Sequence, residues 1–267
     1  MIRDITIGQY YPAKSPIHRM DPRTKLFGTL IFIISVFLFH SVAGYAVATL
    51  FLAGMIIISQ VPVKFIFKGL KAIFMILMIT MVFNILLTPG EVLWKIGIFK
   101  ITREGISMAV RMAIRLVYLV IGSSLMTLTT TPNQLTDGLE KSLRPLNKIH
   151  IPVHEIAMMM SIALRFIPIL LEETDKIMKA QIARGADFES GNLIQKVKNM
   201  VPLLVPLFIS AFRRANDLAM AMEARCYHGG DNRTQMKPLH YTRRDHIAYV
   251  VLFAYLAVAI GFRVMGW

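Results

Sequence analysis

An all-α fold is what this sequence predicts, as a polytopic membrane helix bundle with about five spans and a large cytoplasmic helical module. Three observations carry that expectation. The 267 residues are 55% hydrophobic and only 17% charged, with a mean hydropathy of +0.55, whereas soluble domains run at about 45–50% apolar and about 25% charged. The apolar surplus sits in long runs separated by turn signals, the pattern of membrane spans. The cationic excess, Lys+Arg 30 against Asp+Glu 16 for a net +14, gathers in particular connections, as it does on the cytoplasmic side of a bilayer. In a soluble chain that excess would suggest nucleic acid; the membrane accounts for it here, and no nucleic-acid partner is expected. Cys226 is the single cysteine, which excludes a disulfide-built secreted fold. Residues 1–25 are polar, with Arg3, Asp4, Lys14, Arg19, Asp21, Arg23 and Lys25, so no cleavable signal peptide is expected.

The elements follow in order. Leu26–Phe39 and Val42–Ser59 are nearly continuous, and one helix through both would be roughly 50 Å long, too long for a hydrocarbon core of about 30 Å. They are therefore read as two antiparallel spans turning near His40–Gly44. Gln60-Val61-Pro62 ends the second, and Lys64, Lys68 and Lys71 form a basic connection. Ala72–Leu87 is the third span, closed by Thr88-Pro89-Gly90. Residues 91–104 alternate apolar and polar through Lys95–Thr102, a period of two that predicts a small hairpin on the far side. Ile106–Thr130 is the fourth span. It contains Arg111 and Arg115, four residues apart and hence on one helix face. Charges at that depth either snorkel to the surface or meet a buried polar partner, so the two arginines are candidates for an intramembrane polar contact.

From Thr131 the character changes, with charged residues mixed among apolar stretches. Segment 134–147 reads as a short amphipathic helix ending near Pro145. Segment 153–184 reads as a long helix, apolar through Val153–Leu171 and charged from Glu172 to Arg184. Segment 192–225 repeats the design, with Met200–Phe212 carrying Pro202 and Pro206 before a charged Arg213–Arg225. The apolar halves 153–171 and 200–212 suit helices packed in the bundle or lying at the interface, with a re-entrant or spanning course as the alternative. Residues 228–246 are polar, and Ala248–Phe262 is the final span. The division is thus an N-terminal segment with four spans over 1–130, a cytoplasmic module over 131–245 and a C-terminal span over 246–267. The basic N-terminus, the 60–71 connection and the 131–245 module fall on one side, the cytoplasm, leaving the C-terminus outside.

No catalytic constellation stands out. The sequence has no Gly-x-x-x-x-Gly-Lys-Ser/Thr loop for an ATP site of its own, and no Ser/His/Asp or paired-carboxylate arrangement. His150 and His154 have a metal-like spacing, but Pro152 lies between them, and no metal site is assigned. The 18 methionines read as bundle filling or as an adaptable contact surface. The most specific signal is a pair of helix ends, Ala183-Arg184-Gly185 and Ala224-Arg225-Cys226. Arginine suits a helix C-terminus, and glycine the left-handed cap. Two such ends on two similarly built helices also suggest two docking points for acidic partners, with the guanidinium fork matched to carboxylates.

These features together resemble the transmembrane (T) component of energy-coupling factor (ECF) transporters, the EcfT/CbiQ family, over nearly the whole chain. Gly8-Gln9-Tyr10, Ser15-Pro16-Ile17-His18 and Asp21-Pro22-Arg23-Thr24-Lys25 resemble its N-terminal signature. Leu164-Arg165-Phe166-Ile167-Pro168 and the two Ala-Arg ends resemble its coupling region, with Cys226 departing from the glycine of the motif. The overall pattern is closer to the shared-module type than to the dedicated cobalt or nickel type. The resemblance implies a non-enzymatic, multi-pass subunit of the bacterial cytoplasmic membrane that binds no cofactor itself. ATP and Mg would be bound by two partner ABC-type ATPases, into which Arg184 and Arg225 insert. The motion would pass to a membrane-embedded S component, one of several exchanging, for vitamin or micronutrient uptake. The competing reading is a stand-alone secondary transporter or channel with Arg111 and Arg115 lining its path.

Overall fold

The computed structural model describes residues 10–39, 41–96, 99–188, 192–230, 236 and 238–264. Gly8 and Gln9 of the N-terminal motif, with Arg3 and Asp4, lie outside the described residues. Among the described residues eight α-helices follow one another: α1 (Pro22–Leu38), α2 (Val42–Ser59), α3 (Val63–Leu87), α4 (Arg103–Thr129), α5 (Pro132–Leu143), α6 (Val153–Ala183), α7 (Leu193–Glu223) and α8 (Arg243–Val264). A 3-10 helix, Arg144–Ile149, separates α5 from α6. The strands among the described residues are β1 (Val92–Ile96) and β2 (Phe99–Thr102), an antiparallel pair between α3 and α4.

The helix boundaries have local causes. Asp21 caps α1 by accepting from Arg23 N–H at 2.9 Å, with Pro22 in the first turn, where its missing N–H costs nothing. Ser41 caps α2 by accepting from Gly44 N–H at 3.1 Å. A Cβ on Gly44 would run into the Phe39 ring, so the close turn between α1 and α2 requires glycine there. Gln60 ends α2 in the left-handed region, with φ 56°. The basic segment Lys64–Lys71 is not a separate connection but the first part of α3, which bends by 57° between Val63–Lys71 and Ile73–Leu87. Its lysines are exposed while Ile66 is buried, so one amphipathic stretch and one apolar stretch share a helix. Thr131 opens α5 with a capping box: Thr131 N–H donates to Gln134 Oε1 at 3.2 Å and Gln134 N–H to Thr131 Oγ1 at 3.3 Å.

By length and composition, three helices among the described residues can cross a membrane: Arg103–Thr129, Val153–Ala183 and Arg243–Phe262. The bent α3 makes a fourth if counted as one span. Helices α1 and α2, at 17 and 18 residues, reach about 25–27 Å and fall just short of the core thickness.

The described residues group into two compact units. One comprises residues up to 138 together with those from 239 onward, and the other comprises 139–238. In the first, α1 packs on α4 and α8, and α3 on α4. Its core joins Phe32, Val36 and Phe39 of α1 and its end to Tyr45, Ala48 and Leu52 of α2 and to Tyr255 and Ala259 of α8. Ser35 Oγ and Tyr255 hydroxyl meet at 2.7 Å inside it. In the second unit α6 packs against α7.

Candidate functional site

The two Ala-Arg ends have the same backbone construction. At the end of α6, Gly185 N–H donates to Ile182 carbonyl and Ala186 N–H to Gln181 carbonyl, both at 2.9 Å. At the end of α7, Cys226 N–H donates to Glu223 carbonyl at 2.9 Å and Tyr227 N–H to Met222 carbonyl at 3.0 Å. Both are Schellman closures. The residue after each arginine is in the left-handed region, Gly185 at φ 88° and Cys226 at φ 54°. Cys226 therefore takes the glycine's conformation despite its side chain, at a strain cost of about 1–2 kcal/mol. Arg184 and Arg225 occupy equivalent places, one residue ahead of that turn, and both are exposed.

Three groups of contacts fix how α6 and α7 lie. Gln181 Nε2 donates to Pro202 carbonyl at 3.5 Å. Ser210 Oγ donates to Glu173 Oε1 at 2.8 Å, and Arg214 Nη2 pairs with Glu173 Oε2 at 2.6 Å. Met158 and Ile162 line one cavity with Leu218 and Met222. As numbers fall along α6 they rise along α7, so the helices are antiparallel. The two arginines consequently stand at opposite ends of the pair. Arg225 is level with Met158, and Arg184 lies 26 residues further along α6, a separation of roughly 40 Å at 1.5 Å per residue.

The prolines shape this pair. Pro168 and the pair Pro202 and Pro206 lie inside α6 and α7 without ending them. Proline has no N–H, so Pro206 cannot donate to the carbonyl four residues earlier, which belongs to Pro202. Gln181 reaches across from α6 and supplies that donor. Near Arg225 the chain turns back over the start of α6. A Cβ on Gly230 would collide with the His154 ring, and His154 Nδ1 is 2.8 Å from Glu140 Oε1. His150 instead occupies a left-handed turn at φ 62°. The described residues hold no group of three or more His, Cys, Asp or Glu placed to bind a metal.

The other sequence candidates fall in the first unit. Arg111 is exposed and donates to Ser107 Oγ on its own helix. Arg115 is half-buried, donates to Phe39 carbonyl at 3.3 Å and to Tyr45 hydroxyl at 3.5 Å, and stands 5.2 Å from the Phe37 ring. The two arginines thus share a face but not an environment.

The N-terminal motifs build a buried polar corner. Ser15 and His18 are almost fully buried. His18 Nε2 is 3.0 Å from Tyr11 carbonyl; a carbonyl only accepts, so Nε2 carries the proton. Nδ1 then accepts from Ser15 Oγ at 2.7 Å. Burial lowers the His18 pKa below 6.5, assisted by the Lys25 charge and opposed by the bond to Tyr11 carbonyl. Lys25 Nζ donates to His18 carbonyl at 3.2 Å and Thr129 carbonyl at 2.8 Å. Arg23 grips Asp21 through Nε at 3.0 Å and Nη2 at 2.9 Å and lies 4.0 Å over the Tyr241 ring. Burial, with a bond to Tyr249, raises the Tyr241 phenol to about 12, so it remains a neutral face for that cation.

Sequence reading missed the residue that closes this corner. Asp245 is fully buried and accepts from Asp21 N–H, Thr242 N–H and Thr242 Oγ1 at 2.7–2.8 Å. The available signal was Thr242-Arg243-Arg244-Asp245 ahead of an apolar run, a capping-box pattern.

The family model described as "Cobalt transport protein", CbiQ, matches residues 13–236. Among curated proteins, the chain is 57% identical over 266 residues to the "Energy-coupling factor transporter transmembrane protein EcfT" of Clostridium kluyveri, covering 99% of this chain and 98% of that one. The proteins of the same description from Ruminiclostridium cellulolyticum and Bacillus subtilis are 57% and 48% identical, over 92% and 98% of this chain and 92% and 100% of theirs.

Proposed function

The chain belongs to the EcfT/CbiQ family of ECF transporter transmembrane components, and from that membership we propose that it is the non-catalytic coupling subunit of an ECF-type importer. Its module over 131–245 faces the cytoplasm between the spans of 1–130 and 246–267, and the N-terminus is cytoplasmic. Two ABC-type ATPases dock on it, one at Ala183-Arg184-Gly185 and one at Ala224-Arg225-Cys226, and they bind the ATP and Mg. The α6–α7 pair carries their closure to a membrane-embedded S component, which holds the vitamin or micronutrient and can be exchanged for another.

The observation that supports this reading best is the pair of matched closures at opposite ends of α6 and α7. A separation of roughly 40 Å exceeds the reach of one small docking pocket and fits two subunits, each receiving one arginine. The shared turn places both arginines at the same backbone position of the helix end. The test is Arg184→Glu with Arg225→Glu, which sets a carboxylate against acidic partner grooves. In detergent pull-downs from native membranes, the wild-type chain should retain two ATPases and a small hydrophobic protein. The double variant should insert normally and lose the ATPases at least a hundredfold, an effect of about 3 kcal/mol. Normal ATPase recovery with the double variant would sink the proposal.

A further inference from the structure

The first unit contains a cavity of about 330 Å³ between α1, α2, α4 and α8 that plays no part in the coupling proposal. Its deep part is walled by Phe32, Phe51, Leu125 and Leu252, while Lys25 and Arg244 line one end. Lys25 and Phe32 are seven residues apart on α1, as are Arg244 and Val251 on α8, so the cavity runs about 10 Å from a cationic end, where Lys25 is buried and Arg244 exposed, into apolar surroundings.

Gly28 lies on this wall. Glycine is disfavoured inside helices, and a Cβ added here would meet nothing within 4 Å. No close helix approach therefore calls for glycine at this position, and its effect is to leave the cavity open. Gly122, on the opposite wall, differs: a Cβ there would come within 2.8 Å of the Phe32 ring.

That end is electrostatically one-sided. Arg244 is exposed and has no ion pair among the described residues. Two of the three Lys25 donors are held by the His18 and Thr129 carbonyls, leaving one. The nearby carboxylates are already engaged, Asp21 by Arg23 and Asp245 by backbone N–H groups and Thr242.

We infer that this cavity is a binding site for one acyl chain of an anionic phospholipid, with the lipid phosphate held at Arg244 and Lys25. The guanidinium fork suits phosphate oxygens, and the apolar depth suits an alkyl chain. The inference does not depend on the ATPase reading.

The test uses the full chain in detergent with dioleoyl phosphatidylglycerol or dioleoyl phosphatidylcholine, and native mass spectrometry counts the lipid retained through delipidating washes. The wild type should keep one phosphatidylglycerol per chain and hold phosphatidylcholine about fivefold more weakly. Gly28→Leu on α1 and Ala248→Leu on α8 each fill the cavity and should lose the bound lipid. Arg244→Gln should keep a lipid while losing the headgroup preference. Thermal unfolding without added lipid identifies any filled variant that fails to fold, in which case the other carries the test. Equal retention of phosphatidylglycerol by the wild type and a folded filled variant would overturn the inference, as would a wild type indifferent to headgroup. It would equally fall if the filled variants kept the lipid but lost a co-purifying membrane protein, which would make the cavity a protein contact.

Discussion

The two compact units both expose many large apolar side chains, but only in one of them do the described residues form a buried core beneath that surface. In the unit built from α1–α4 and α8, buried aromatic and aliphatic side chains from three helices meet in one core, and buried polar groups at its edge satisfy one another through Asp21, Asp245, Lys25 and His18. In the α6–α7 unit the residues buried within the helices are few: Val153, Ala157 and Leu203. Large apolar side chains such as Val201, Val205, Phe208 and Phe212 are exposed along α7. The first unit also exposes large apolar side chains, among them Leu50, Phe67, Phe74 and Met75, but has a buried core beneath them. The second presents surface that membrane or partners must cover, with specific polar cross-links between its long helices at Glu173 and Gln181 among the described residues. A scaffold with a buried core and an open pair of long helices should respond differently to substitution.

The largest effect should come from the scaffold's fully buried carboxylate. Asp245→Ala removes the acceptor for the buried Asp21 N–H and, at the exposed Thr242, for its N–H and hydroxyl. Leaving the one buried donor unsatisfied costs about 1–3 kcal/mol and the lost bonds from Thr242 to a carboxylate add to it, so a loss of about 3 kcal/mol is expected in denaturant or thermal unfolding in detergent. Arg184→Ala and Arg225→Ala, at exposed helix ends, should each change stability by less than about 0.5 kcal/mol. A result in which Asp245→Ala and Arg184→Ala were equally mild would erase the contrast between the units.

A smaller effect separates the two helix ends themselves. Gly185 sits at φ 88° with open space where a Cβ would go, so Gly185→Val meets no neighbour and its cost is conformational, about 1–2 kcal/mol. Cys226 already bears the corresponding strain at φ 54°, and Cys226→Gly should relieve about 1 kcal/mol. Opposite signs at two equivalent positions, read by unfolding of the purified chain, would establish that backbone geometry and not side-chain chemistry sets both closures. Destabilisation by Cys226→Gly would mean that the thiol makes a contribution of its own.

What the sequence made legible divides along the same line. Periodicity and turn residues located the long helices and the small hairpin, because the apolar runs of α2 and α4 and the alternation over 95–102 are local patterns. The continuous course of α3 was hidden because Lys64, Lys68 and Lys71 look like a loop composition, while their spacing puts them on the exposed side of a helix. The Ala-Arg ends could be read from their neighbours in the chain, since a Schellman closure involves six consecutive residues. Their placement at opposite ends of an antiparallel pair could not, because it depends on contacts such as Glu173 with Arg214, 41 positions apart. The polar corner was least legible, since Asp21 and Asp245 meet across 224 positions and either alone reads as an ordinary helix-capping residue.

The smallest expected effect tests whether that corner is a fixed anchor or one that loosens with acid. Neutral His18 donates from Nε2 to Tyr11 carbonyl and accepts at Nδ1 from Ser15 Oγ. Protonation would place a second N–H against a hydroxyl that now donates, and Ser15 would have to rotate to accept. It would also add a positive charge near Lys25, in a buried position. Burial, with the Lys25 charge assisting, is what holds the folded pKa below 6.5. Between that lowered value and 6.5 the unfolded chain binds more protons than the folded one, so stability rises with pH across the window. The contribution is fully present above 6.5 and is lost as pH falls through the folded pKa. Unfolding midpoints measured at a series of pH values should therefore fall on the acid side of 6.5 for the wild type. His18→Gln keeps a side-chain donor and acceptor without a titrating group, and should flatten that part of the curve relative to the wild type. Parallel curves for the two proteins would assign the acid sensitivity elsewhere and leave the corner a pH-independent anchor.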